Sequence, residues 1–97
     1  MFNRNKFITR GVNASIPLAL QLLMWQMVDA VPSPKDYLQV FKLSIKDQKL
    51  HIEHTQEQPE YKKELDIHLS RDEINVSASL FVIDDGDRAT MLMAEEY

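Results

Sequence analysis

Three histidines and fifteen acidic side chains are the groups of this 97-residue sequence best suited to hold a transition metal or move protons near neutral pH, because it contains no cysteine. His51, Glu53 and His54 form a His-Ile-Glu-His string, but alternation along a strand sends His51 and Glu53 to one face and His54 to the other. The His-Glu-x-x-His spacing that lets two imidazoles share a helix face is absent. Across neighbouring strands His51 faces either Glu64 or Asp66, with His68 nearby. One reading of that polar face is a metal or small-ligand site on His51, Glu53, Asp66 and His68. The preferred reading is a solvated surface of cross-strand charge pairs, each worth a few tenths to about 1 kcal/mol. Asp84-Asp85-Gly86-Asp87 has the look of a calcium loop, yet an EF-hand spreads its ligands over about twelve residues and closes on a helical glutamate. Here strand-forming residues resume at once, and turn chemistry explains Asp-Gly. Gly11 is the only other glycine, so no phosphate cradle can be built. Ser15, Ser44, Ser70, Ser77 and Ser79 show no nucleophile elbow or neighbouring base. No catalytic residue, cofactor or metal is therefore assigned, and the sequence alone names no activity.

The elements that must carry these side chains are legible from periodicity. Lys6 to Arg10 reads as a short first strand ended by Gly11. Asn13 and Ser15 offer capping oxygens to a helix that Pro17 opens and that Pro32 and Pro34 stop. Leu18 to Val31 between them is rich in helix formers and free of glycine and proline. Alternation then takes over. Phe41, Leu43 and Ile45, and again Leu50 and Ile52, fall on one face of a hairpin turning at Asp47-Gln48. That register pairs Ile45 with Leu50, Leu43 with Ile52 and Lys42 with Glu53, and leaves Lys46 opposite Lys49. Tyr61 to Leu69 alternates as a third strand in which Lys63 breaks the apolar pattern. Leu80 to Asp84 and Asp87 to Met93 flank Asp85-Gly86, the dipeptide a type I′ hairpin prefers. Ser70-Arg71-Asp72-Glu73 is compatible with a helix cap or a loop. The expected fold is a single α+β domain over residues 1–97, one amphipathic helix on an antiparallel sheet of five to six strands: a short N-terminal strand, the helix, a three-stranded meander and a C-terminal hairpin.

The helix carries more apolar surface than one stripe requires. At 100° per residue, Ile16, Leu20, Leu23, Met24, Met27 and Val31 gather on the sheet-facing side, while Leu18, Leu22 and Trp25 lie among Gln21, Gln26 and Asp29 opposite. Exposed apolar surface containing tryptophan marks a contact site, so this second stripe is a candidate interface for a second copy or for another protein. The final hairpin adds to it: Leu80, Val82, Ala89 and Met91 share one face, Phe81, Ile83 and Leu92 the other, and one helix cannot cover both. The competing account has the N-terminal segment, the Pro32 to Tyr37 connection or a curled sheet cover these residues within the monomer. A third functional class, an enzyme whose site is completed across a subunit boundary, has no residue in its favour.

Composition narrows the partners. A net charge of −4 with no dense run of lysine and arginine opposes nucleic-acid binding. Met1 to Phe7 lacks the apolar stretch of a signal peptide, and Ile16 to Val31 is interrupted by Gln21, Gln26 and Asp29 and falls short of the ~20 residues of a bilayer span. A cytoplasmic protein without membrane contact is expected.

Several strings together carry a resemblance: Thr9-Arg10-Gly11-Val12 with Ile16-Pro17-Leu18, Leu22 to Trp25, Tyr37 to Leu43, Gln58 to Glu64, Phe81 to Asp87 and Ala94-Glu95-Glu96-Tyr97. In these the chain resembles a family of small uncharacterised proteins of Gram-positive bacteria, staphylococci among them, known as a domain of unknown function. The resemblance implies a bacterial cytoplasmic setting and brings no activity, ligand or catalytic residue with it.

Overall fold

The computed structural model describes residues 5–68 and 77–97; the Ser70 to Glu73 stretch lies outside them. The order is β1 (Asn5–Ile8), α1 (Arg10–Ser15), α2 (Leu18–Asp29), β2 (Leu38–Lys46), β3 (Lys49–Gln56), β4 (Tyr61–His68), β5 (Ala78–Asp84), β6 (Arg88–Met93) and a closing 3₁₀ turn over Ala94–Glu96. The strands form one sheet in the order β1-β6-β5-β2-β3-β4.

The central strands follow the alternation. β2 and β3 pair with Ile45 opposite Leu50, Leu43 opposite Ile52, Lys42 opposite Glu53 and Lys46 opposite Lys49, the expected register. Asp47 and Gln48 make the two-residue turn at φ 53° and 62°, the left-handed pair that matches strand twist. β4 continues antiparallel from β3, and β5 and β6 pair antiparallel around Gly86. There the turn sits one residue later than expected: Asp85 donates its N–H to the Arg88 carbonyl, leaving Gly86 (φ +99°) and Asp87 as its central residues. The pairs therefore shift by two, so every side chain keeps its expected face.

Three expectations need correction. The sheet is mixed rather than antiparallel, because β1 lies parallel to β6 with Phe7 opposite Thr90 and Ile8 opposite Met91. The first strand ends at Ile8, and Gly11 lies inside a second helix, α1, whose N-cap is Thr9: its hydroxyl accepts from the Val12 N–H. Asn13 and Ser15 consequently do not cap α2; its N-cap is Pro17, with no side-chain hydrogen bond.

Both helices serve the same side of the sheet. Val12, Ile16, Leu20, Met24, Met27 and Val28 join Phe41, Leu43, Leu50, Ile52, Leu80 and Met91 in one core. Each fully buried aliphatic side chain there stabilises the fold by roughly 1.5–3 kcal/mol. The buried face of α2 is wider than the expected stripe, because Gln21 and Trp25 also turn inward, at 5% and 8% exposure. Gln21 is accommodated by donating its Nε2–H to the Ile16 carbonyl at 2.7 Å.

Candidate functional site

The polar half of the open sheet face is built by β2, β3 and β4. A two-residue turn makes Lys46 and Lys49 a hydrogen-bonded pair, and the phase that follows makes His51 and Asp66 a close, non-hydrogen-bonded pair of β3 and β4. His51 Nδ1 lies 2.7 Å from Asp66 Oδ1, and its Nε2 lies 3.2 Å from Glu64 Oε1. Both carboxylates considered from the sequence thus reach the one imidazole. They hold its pKa above the ordinary histidine value, through the Asp66 hydrogen bond first, against a smaller opposing effect of burial. Lys62 Nζ stands 3.1 Å from Glu53 and lowers the pKa of that carboxyl chiefly through their hydrogen bond. His68 sits opposite Lys49, one row beyond the His51 ring, and His54 is on the other face.

The rows bring together a set that spacing did not reveal: Ser44, His51 and Asp66 lie side by side on three adjacent strands. The residue types are those of a hydrolytic triad, but His51 directs its second nitrogen at Glu64 rather than Ser44. With both ring nitrogens directed at carboxylates, His51 presents neither one to Ser44. The described residues contain no cluster of His, Asp and Glu with the geometry of a metal centre. An open groove of about 740 Å³, bordered by Ser15, Lys42, Ser79 and Glu95, adds no nucleophile paired with a base.

Two polar constructions escaped the sequence analysis. Gln39, His54 and Gln56 stand at core-side positions of β2 and β3 and are 0%, 0% and 4% exposed. Gln39 links the other two: His54 Nε2 is 2.6 Å from its Oε1, and its Nε2–H donates to Gln56 Oε1 at 2.6 Å and to the Asp36 carbonyl at 2.9 Å. His54 stacks on Phe41 with ring centroids 4.3 Å apart and meets Tyr61 edge-on. Burial lowers its pKa to about 4, and its Nδ1 is buried without a partner. Polar residues in the apolar phase of a strand were the available signal. The second construction is a carboxylate clasp. Glu96 accepts from the Thr9 hydroxyl at 2.5 Å, the Gly11 N–H at 3.1 Å and the Met93 N–H at 2.8 Å. A Cβ on Gly11 would stand 2.6 Å from Glu96 Oε2, so this glycine answers to a close approach rather than to a chain reversal.

The candidate contact residues separate. Leu18 and Leu22 are 67% and 53% exposed, whereas Trp25 belongs to the core and has Lys6 Nζ 5.7 Å from its ring centroid. On the open sheet face Phe81 and Ile83 are half-buried, and Leu92 is 9% exposed. Leu38 and Val40 flank them, also half-buried, and Tyr97 meets Phe81 edge-on at 5.5 Å.

A structure described as that of a protein of unknown function from Enterococcus faecalis is similar at 26% identity, over 98% of this chain and 92% of that one, with a TM-score of 0.81. No curated protein matches. A family described as staphylococcal protein of unknown function (DUF960) matches residues 5–96. With all but a few of its residues inside that match, the chain belongs to the DUF960 family.

Proposed function

We propose that this chain is a non-catalytic, cytoplasmic protein-binding module that self-associates, and that its contact surface is the apolar margin around β1. One observation carries the reading: Phe7 (45%) and Ile8 (37%) of β1 and Leu18 (67%) and Leu22 (53%), one turn apart on α2, are exposed large apolar side chains. Ile8, Pro17 and Leu18 border one depression of about 430 Å³, and Lys6 over Trp25 ties β1 to the next turns of α2. Exposed apolar surface of this kind supports a contact surface. No helix of the described residues is long and apolar enough to cross a membrane. The non-catalytic part of the reading rests on His51, whose nitrogens are both directed at carboxylates.

Light scattering over a concentration series tests it. The wild-type mass is expected to rise toward twice the 11.3 kDa of one chain. Leu18→Glu and Leu22→Glu are expected to remain monomeric with an unchanged circular dichroism spectrum. A wild type that stays monomeric to millimolar concentration would remove self-association from the reading.

A further inference from the structure

The backbone of β1 specifies how such a contact is made. The Thr9 N–H donates to the Met91 carbonyl at 3.1 Å and thereby sets the phase of the parallel ladder. In a parallel pair, alternate residues send both main-chain groups to the same neighbour. Phe7 therefore points its N–H and C=O toward β6, and Lys6 and Ile8 point theirs outward. The same phase is seen on the far side of β6, where Arg88 turns to β5 and accepts from the Asp85 N–H. Among the described residues β1 is thus an edge, with two sets of main-chain groups turned away from the sheet, one on either side of Phe7.

We infer that two copies join edge to edge through β1, antiparallel about a two-fold axis at Phe7, to form one continuous sheet; this deepens the self-association reading and rests on it. The arrangement is self-complementary, as an isologous contact must be. Lys6 of each copy exchanges N–H···O bonds with Ile8 of the other, and the two Phe7 side chains meet as a close, non-hydrogen-bonded pair on the open face. Each Lys6 then lies opposite an isoleucine and not opposite the other lysine, which keeps the like charges of this edge apart. On the core side, the exposed Leu18 of α2 borders the same depression as Ile8, and the exposed Leu22 lies one turn further along the helix. Strand addition with a flanking apolar contact is a recurring mode of recognition, in which the main chain supplies affinity and side-chain contacts supply specificity.

Proline placed at the outward positions reads this contact directly, because Lys6→Pro and Ile8→Pro each delete an N–H that β6 does not use. In the full-length chain each is expected to weaken dimerisation at least about tenfold more than its alanine counterpart, Lys6→Ala or Ile8→Ala, which keeps the N–H. In the wild type, the Lys6 and Ile8 amides are expected to exchange more slowly as concentration rises, with the Phe7 amide indifferent to it. That exchange measurement decides the matter if a proline variant does not fold. A dimer that tolerates both prolines, with Lys6 and Ile8 exchanging at concentration-independent rates, would overturn the β1 pairing and leave self-association standing on another surface. A monomer at every concentration would overturn both.

Discussion

The two edges of the sheet are guarded differently. β4 runs for eight residues, and by the phase of its pairing with β3 its outward main-chain groups belong to Lys62, Glu64, Asp66 and His68. Lys62, Glu64 and Asp66 are ionic side chains tied into cross-strand pairs with Glu53 and His51. An added strand would bury or displace them, which is how natural sheets keep an edge unpaired. β1 is half as long, with four residues, and its outward groups sit beside Phe7, Ile8, Leu18 and Leu22. Among the described residues, the long edge is lined by charge, whereas the short edge has exposed apolar side chains near it. That contrast is what places the proposed contact at β1 rather than at β4.

The comparison breaks most severely if its β1 side lacks support from below. Trp25→Ala, which empties the core under Lys6, is expected to cost about 3–5 kcal/mol in denaturant titration. A cost near zero would return Trp25 to the surface. Phe7→Pro removes a donor that β6 uses and is expected to destabilise the fold more than Lys6→Pro one residue away. Equal costs would show that the ladder has the opposite phase.

The β3–β4 side answers instead to pH. His54 is neutral when folded, with its pKa lowered to about 4, while the unfolded chain binds the proton near 6.5. The unfolded state thus holds more protons below neutrality, and stability is expected to fall by roughly 3 kcal/mol between pH 7 and pH 4. His54→Leu should abolish that slope in thermal melts across the range. His51 works in the opposite sense: its raised folded pKa gives a contribution present below the unfolded value and lost as pH rises through the folded one. Asp66→Asn should bring the His51 titration back toward the ordinary value in a proton NMR series. The smallest effect on folding belongs to Leu22→Glu, within about 0.5 kcal/mol because the side chain is exposed. A larger loss would mean that α2 is held down at that position.

Strict alternation and tight turns made the β2–β3 register, the β5–β6 faces and the main helix readable in advance. β1 was legible only as a fragment, because four residues carry too little periodicity to declare a neighbour, and its parallel pairing with β6 is entirely non-local. Gly11 was misread because the reason for it, the Glu96 carboxylate, lies 85 positions away. Trp25 was placed with Leu18 and Leu22 by angle alone. A core that accepts Gln21 as well buries a broader arc of α2 than a two-layer packing needs. On the candidate surfaces, the sequence identified Leu18, Leu22, Phe81 and Ile83 as more apolar than a solvated surface requires. It could not show which strand edge runs beside them.

The Glu96 clasp and the β1–β6 ladder join the beginning of the chain to its end. During synthesis from the amino terminus, the meander of β2, β3 and β4 can assemble as soon as it has emerged, but β1 has no neighbour until β6 has left the ribosome, and α1 lacks its capping carboxylate until Glu96 follows. On the proposal made above, the β1 edge offered to a second copy therefore takes shape only after β6 and Glu96 have emerged.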